Sequence, residues 1–224
     1  MGQVTILPYT TKYPLEMMGR CAGICWGANI ENEEKNIKRG LDCIQSDHGR
    51  PLEYPDIYAV LDGYSARVIR EWYTHIGGAP TRLQASTRYI NYGNFDYYVP
   101  DSILKNDEAL DVYMNAMTAI TEGCQKLENE LGIPREDVAN LLPLGMETKI
   151  VDKRNVRNVI DMSGQRMCTR AYHEFRKLFT DYLQALCNYS DQWRQIVVKT
   201  MMPKCERLGY CPEKKSCGRM PKKD

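Results

Sequence analysis

The chain has 224 residues, enough for one ordinary domain that buries about 70% of its unfolded surface. Its 30 Lys and Arg against 29 Asp and Glu leave a net charge of +1, so nothing in the bulk electrostatics calls for nucleic acid, and no apolar run nears the ~20 residues that span a membrane. Nine cysteines with no secretory signal ahead of them read as reduced thiols of a cytoplasmic protein, and fifteen Tyr against three Phe point to wet or ligand-facing aromatic surfaces.

Residues 4–7 are a short β-branched and apolar run that reads as a first strand. Pro14–Cys25 carries Leu15, Met18, Cys21 and Ala22 at helical spacing, with Pro14 in the first turn, where its missing N–H costs nothing. Cys21 and Cys25 read as packed thiols of that helix. Residues 28–47 are charged helix and loop. In His48-Gly49-Arg50-Pro51-Leu52-Glu53-Tyr54 an imidazole and a carboxylate flank a proline-stiffened turn. That suits the polar edge of a cofactor, and equally an ordinary surface loop. Residues 56–64 alternate Ile57, Ala59 and Leu61 against Tyr58 and Val60, as a half-buried strand does. Ser65 is placed to cap a helix whose Val68, Ile69, Trp72 and Tyr73 form one stripe. That helix delivers Glu71, Thr74 and His75 into the turn Gly77-Gly78-Ala79-Pro80, whose small residues let a ligand approach the backbone.

Beyond the turn, Gln84-Ala85-Ser86-Thr87-Arg88-Tyr89 sets a hydroxyl and a guanidinium two residues apart. In an extended segment both face the same way, a suitable receptor for a phosphate or a nucleobase carbonyl; a plain loop leading into a strand also fits. Residues 95–99 read as another strand, ended by Pro100. Residues 106–131 read as a long helix, with Leu110, Tyr113, Met114, Met117, Ile120, Cys124 and Leu127 recurring at three and four and Gly132 closing it. Its stripe is assigned to the core or to a subunit interface. A short helix is expected over 137–143. Residues 155–176 read as one helix gathering amide and guanidinium donors from Asn155, Arg157 and Arg166. Arg166 lies eleven residues after Asn155, close to three turns, so the two share a face. Surface salt bridging with Asp161 and Glu174 is the alternative for any one of these. Helix is expected to continue over 179–198. The domain then spans 1–200, followed by a Cys- and Lys-rich tail over 201–224. In that tail Cys205, Cys211 and Cys217 suit a zinc ion, oxidised pairs or simple packing, with no fourth ligand evident.

Taken together, these stretches resemble flavin-dependent thymidylate synthases over residues 1 to about 200. Ser86, Arg88 and Tyr89 match the end of that family's R-H-R-x7-S-x-R-Y signature, and His75 matches its middle. Thr74 and Ile76 stand where the family has arginines, nine residues rather than seven separate Ile76 from Ser86, and Gln84 replaces a Glu. His48 and Glu53 match the H-x-x-P-[LF]-E-H segment. Asn155, Arg157, Arg166, Ala171, Glu174 and Arg176 fall in register with the N-x-R … R-x4-A-Q-x-E-[IL]-R helix, with Tyr172 in place of Gln. Ala139 stands where a phosphate-binding Arg is common.

The resemblance implies an α+β fold with a central antiparallel sheet and long helices, assembled as a homotetramer with active sites between subunits. It implies FAD as cofactor, with NADPH and methylenetetrahydrofolate as co-substrates, in methylating dUMP at C5. Arg166 and Ser86 are then the catalytic candidates. Gln84, Glu71 and Arg88 join them around the nucleotide, and His48, Arg50, His75, Arg82, Asn155, Arg157 and Asp161 around the cofactor. No cysteine falls in these motifs beside a base, which argues against a thiolate nucleophile. A relative that hydroxymethylates dUMP or modifies another pyrimidine nucleotide, and a non-catalytic flavin or nucleotide binder, are the other readings.

Overall fold

The computed structural model describes residues 2–223. One antiparallel sheet runs in the order β1-β2-β4-β3, where β1 is Gln3–Ile6, β2 Asp56–Ser65, β3 Thr81–Gln84 and β4 Glu147–Asn155. The α+β class and the antiparallel sheet expected from the sequence are what the chain adopts. Strand β2 forms as its alternation dictates: Ile57, Ala59 and Leu61 are fully buried, and the strand is paired on both sides. Its register with β4 runs from Asp56↔Asn155 to Ser65↔Glu147, with one shift at Asp62/Tyr64.

Strand β4 went unrecognised in the sequence, although it lies in the middle of the sheet. Its buried face consists of Thr148, Ile150, Asp152 and Arg154. Only one of those four is apolar, so the period-two pattern was written in charge and hydroxyl rather than in hydrophobicity.

The helices are α1 (Pro14–Cys25), α2 (Glu33–Gln45), α3 (Ala66–Trp72), α4 (Asp101–Leu104), α5 (Asp107–Gln125), α6 (Arg135–Val138), α7 (Val156–Arg166), α8 (His173–Tyr189), α9 (Asp191–Thr200) and α10 (Lys204–Leu208). The core sits between the sheet and α8, whose Phe175, Leu178, Phe179, Tyr182 and Leu186 are all fully buried. Trp72, at the end of α3, packs its ring 5.6, 6.0 and 5.4 Å from those of Phe175, Phe179 and Tyr182. Among the described residues no helix is long and apolar enough to cross a membrane.

Cys25 is exposed rather than packed and Cys21 is half-buried, and three expectations of secondary structure need correcting. Residues 95–99 are not a strand, contributing only an isolated bridge, Tyr97↔Met146. The helix expected over 155–176 is two helices: Asn155 caps α7 and residues 167–172 are turn before α8 begins. The run over 179–198 is likewise broken at Ser190, which is extended (φ −160, ψ 156) and whose hydroxyl accepts from the Trp193 N–H to start α9. Helix α5 ends through a π turn, Lys126–Glu130, before Gly132. Of its stripe Met117 and Cys124 are buried, while Met114 is exposed, as is neighbouring Val112.

The C-terminal residues fold back onto α7. Ser163 Oγ lies 3.4 Å from the Met202 carbonyl, Arg219 donates to the Met167 carbonyl at 3.5 Å, and Arg170 pairs with Glu213.

Candidate functional site

The site is organised by the segment from Glu71 to Gly78, which leaves α3 and turns into β3. Four of its backbone carbonyls are held by side chains of β4 and α7. Arg154 donates to the Trp72 carbonyl at 3.2 Å and to the His75 carbonyl at 2.9 Å. Asn158 donates to the Gly77 carbonyl at 2.5 Å, and Asn155 to the Gly78 carbonyl at 3.3 Å. Asn155 also caps α7, its side-chain oxygen accepting from the Asn158 N–H at 2.9 Å. Gly78 needs its positive φ of 73° and its missing Cβ, because the Asn155 amide lies where that carbon would stand.

Arg154 is completely buried, as is its partner Asp152, whose Oδ2 accepts from Arg154 Nε at 2.6 Å. The guanidinium lies 4.7 Å from the centre of the Trp72 ring and donates to Asn158 Oδ1 at 2.6 Å. Burial raises the Asp152 pKa, and the Arg154 charge opposes the rise. Asp152, Arg154 and Asn158 escaped the sequence reading. Two opposite charges spaced two apart within a β-branched run, followed by Asn at the third position after the cap, were the available signal.

Above this foundation stands Arg166, the last residue of α7. Its Nε donates to His75 Nε2 at 2.8 Å, Nη1 to Glu71 Oε2 at 3.0 Å, and Nη2 approaches Thr74 Oγ1 at 3.4 Å. Its guanidinium lies 4.6 Å from the centre of the Phe175 ring. Three of the five N–H groups are thereby used, which leaves two for a ligand. The Arg166 side chain is only partly covered, 23% exposed, so those donors are reachable. Since His75 accepts at Nε2, it is the neutral imidazole with its proton on Nδ1. Its pKa is lowered to about 4, first by burial, then by the charges of Arg166 and Arg154.

That shift has a consequence for stability. The ordinary His value is 6.5 and the folded one about 4, so between them the unfolded chain binds a proton that the folded chain refuses. Stability contributed by neutral His75 is therefore complete above 6.5 and is lost as pH falls towards 4. Thermal midpoints measured across that window should drop more steeply for the native chain than for His75→Gln, which cannot titrate. Equal slopes would show that His75 is free to protonate in the fold.

The other predicted residues divide between two neighbouring regions. Gln84 closes β3, its side chain taking a hydrogen bond from the Tyr73 hydroxyl at 3.2 Å and giving one to Thr148 Oγ1 at 3.3 Å. Arg82 stacks its guanidinium 4.0 Å from the centre of the Tyr73 ring. Ser86 and Arg88 are not in an extended segment. The chain turns there, Ser86 Oγ accepts from the Arg88 N–H at 3.2 Å, and the Arg88 side chain reaches Glu136 at 3.0 Å. The serine hydroxyl captured the backbone and replaced the expected strand by a turn, so the two side chains do not share a face.

On α7, Asn158, Met162 and Arg166 recur every four residues and face the Glu71–Gly78 segment. Arg157 and Asp161 lie one position round and face away from it. Arg157 meets Glu53 at 3.3 Å and rests against Gly49, and so brings the exposed His48 and Arg50 to the same side. A groove of about 690 Å³ opens there, lined in part by Gly49, Leu52, Arg157, Ile160 and Asp161. Asn155 shares the Arg166 face, as its spacing implied. It is buried with its amide committed to Gly78, so its action on any ligand runs through the turn. Cys205, Cys211 and Cys217 line a separate groove with Cys168 and Arg166. Among the described residues no group of three His, Cys, Asp or Glu is arranged to hold a metal ion.

A family model described as thymidylate synthase complementing protein matches residues 6–188. Flavin-dependent thymidylate synthases of Pyrococcus horikoshii and Pyrococcus abyssi are 30% and 29% identical to the chain, each comparison covering 96% of this chain and 91% of the relative. Among solved structures, Thymidylate Synthase X from Helicobacter pylori with FAD and dUMP superposes with a TM-score of 0.67 at 17% identity, over 88% of this chain and 99% of that one. A UMP/dUMP methylase from Streptomyces cacaoi bound with 5-Br dUMP gives 0.72 at 16%, over 90% and 96%. At these identities the two structures share the fold with this chain.

Proposed function

The chain belongs to the flavin-dependent thymidylate synthase family, and on that premise we propose that it methylates dUMP at C5 to give dTMP, with FAD as cofactor, NADPH as reductant and methylenetetrahydrofolate as carbon donor. The observation that carries this reading is the Arg166 guanidinium, fixed by Glu71, His75 and Thr74 with two N–H groups free. Uracil becomes nucleophilic at C5 only when negative charge can collect on its carbonyl oxygens and N3. A preorganised guanidinium beside them stabilises that charge without reorganising. Neutral His75 matters here: as an acceptor it orients Arg166, whereas an imidazolium would repel it. Glu71 steadies the second edge of the fork.

FAD, when bound, supplies the hydride that turns the transferred one-carbon unit into a methyl group. The donor set fits a flavin dinucleotide. Arg157 and Asp161 edge a groove with apolar walls whose lining residues Asp47 and Gly49 neighbour His48 and Arg50 in the chain. Asn155 and His75 sit at the turn on the Arg166 side of α7. Ser86, Gln84 and Arg88 are assigned to the nucleotide, Ser86 and Arg88 through their match to the end of the family signature. Active sites shared between subunits of a homotetramer belong to the same proposal, and the exposed Val112 and Met114 of α5 are compatible with a subunit contact.

Arg82 is proposed to replace part of the missing signature charge. Its guanidinium, 4.0 Å from the centre of the Tyr73 ring, keeps N–H donors for a phosphate or a flavin carbonyl. Arg82→Ala should weaken dUMP or FAD binding about tenfold, and unchanged affinity for both would remove Arg82 from the site.

The deciding experiment starts with the visible spectrum of purified protein. Reduced protein is then mixed with dUMP and methylenetetrahydrofolate and the products resolved by mass. Flavin absorbance and dTMP are expected. Thr74 and Ile76 are both exposed and neutral where the signature has arginines, which favours a second reading, a changed nucleotide or a hydroxymethylated product; the mass distinguishes these. A colourless protein that neither takes up FAD nor binds dUMP overturns the proposal.

A further inference from the structure

We propose that the groove beside Arg157 is a binding site for the phosphate groups of a dinucleotide, completed by Lys199, Lys204 and Arg207 from the C-terminal part of the chain. Four cationic side chains line it, Arg157, Lys199, Lys204 and Arg207, against two acidic ones, Asp47 and Asp161. Arg157 has only its exposed contact with Glu53 at 3.3 Å, and the side chains of Lys199, Lys204 and Arg207 have no ion-pair partner among the described residues. Like charges gathered around one concavity repel each other, and a bound polyanion relieves that repulsion while gaining charge-assisted hydrogen bonds.

The remainder of the lining matches the other half of a nucleotide. Ile44, Leu52, Ile160 and Leu208 give apolar surface for a base or sugar face, and about 690 Å³ lies within the usual range of small-ligand sites. Both arginines are seated against glycines, Arg157 on Gly49 and Arg207 on Gly164, where a Cβ would displace the guanidinium. Lys199, Lys204 and Arg207 lie beyond residue 188, where the family match ends. The signature loop meanwhile carries Thr74 and Ile76, and position 139 carries Ala. Cationic charge absent from one part of the molecule is present in another, next to α7 residues already assigned to the cofactor.

The shared ligand chemistry is a pyrophosphate-bearing dinucleotide, and FAD and NADPH are its two candidate sources. The assignment to a dinucleotide rests on the proposed function, which places the flavin beside Arg157 and Asp161; the contribution of Lys199, Lys204 and Arg207 rests on the charge cluster itself. The test compares the full chain with the variant Lys199→Ala/Lys204→Ala/Arg207→Ala by calorimetric titration of FAD, NADPH and inorganic pyrophosphate at two salt concentrations. We expect a loss of roughly tenfold to a hundredfold in affinity for one dinucleotide, and a shallower salt dependence. Loss confined to FAD assigns the groove to the flavin, and loss confined to NADPH assigns it to the reductant. If losing Arg207 lowers the thermal midpoint, Lys199→Ala/Lys204→Ala carries the test, since both lysines are exposed and unpaired. Affinities for all three probes within twofold of the native chain overturn the proposal, as does a native chain that binds none of them. Pyrophosphate binding that is lost in the variant, in a protein that forms no dTMP, would retain the groove and remove the methylation reading.

Discussion

Arg154→Met is expected to lower the unfolding free energy by about 3–5 kcal/mol, because it strands a fully buried carboxylate that has no route to water. The pair is 0% exposed on both sides, so solvent screening contributes nothing to soften the loss. Denaturant titration gives the number, and a drop below about 1 kcal/mol would mean that Asp152 simply takes up a proton. Replacing both partners, Asp152→Leu with Arg154→Met, should recover much of the global stability, since a buried pair and an apolar pair of similar volume are often equivalent. It should not recover the loop. In either variant the Trp72 carbonyl loses its Arg154 donor and the His75 carbonyl keeps only the 3.5 Å contact from Asn158, so amide exchange over residues 72–78 should remain faster than in the native chain. Protected exchange there would show that Asn155 and Asn158 hold the turn unaided.

Arg166→Lys is expected to reduce turnover of dUMP by about a hundredfold to a thousandfold, with the flavin spectrum intact. A lysine ammonium is a point charge and cannot meet Glu71, His75 and Thr74 while facing a planar ring. The split between binding and turnover is the informative readout. If the guanidinium acts on charge that develops during reaction, the effect falls on kcat and little on dUMP affinity. A purely structural Arg166 would instead lower the melting temperature and leave the kcat of the surviving fraction untouched. Turnover within fivefold of the native chain would transfer the polarising role to another residue.

What could be read from the sequence follows from which interactions carry a hydrophobic signature. Strand β2 and helix α3 were legible because Ile57, Ala59, Leu61, Val68, Ile69 and Trp72 recur at the periods of strand and helix. The Ser65 cap was correct as well, since its hydroxyl accepts from the Val68 N–H at 3.2 Å. Its second role was not visible: Ser65 donates to buried Glu174 at 2.6 Å, across 109 residues of chain. Glu174 was considered as a surface partner for arginine and is instead 2% exposed. Arg166 was found through motif spacing, and its contacts with Glu71 and His75 required the fold, because a helix and a loop more than ninety residues apart meet there. Strand β4 was missed for the reason that makes it important. Its buried face is built to hold a polar loop, so it lacks the apolar alternation by which buried strands are recognised.

The carbonyl anchoring of the Glu71–Gly78 segment bears on how this site can change over evolutionary time. A loop whose course is dictated through its main chain places few demands on its own side chains. Position 76 projects outward, Ile76 being 71% exposed, whereas Thr74 donates to the Glu71 carbonyl at 2.7 Å and lies 3.4 Å from Arg166. Such an outward position is an interchangeable part, open to substitution without loss of the loop's path. An arginine can therefore be gained or surrendered there while His75 keeps its station beside Arg166. Side-chain chemistry can drift at position 76 on a scaffold that stays still.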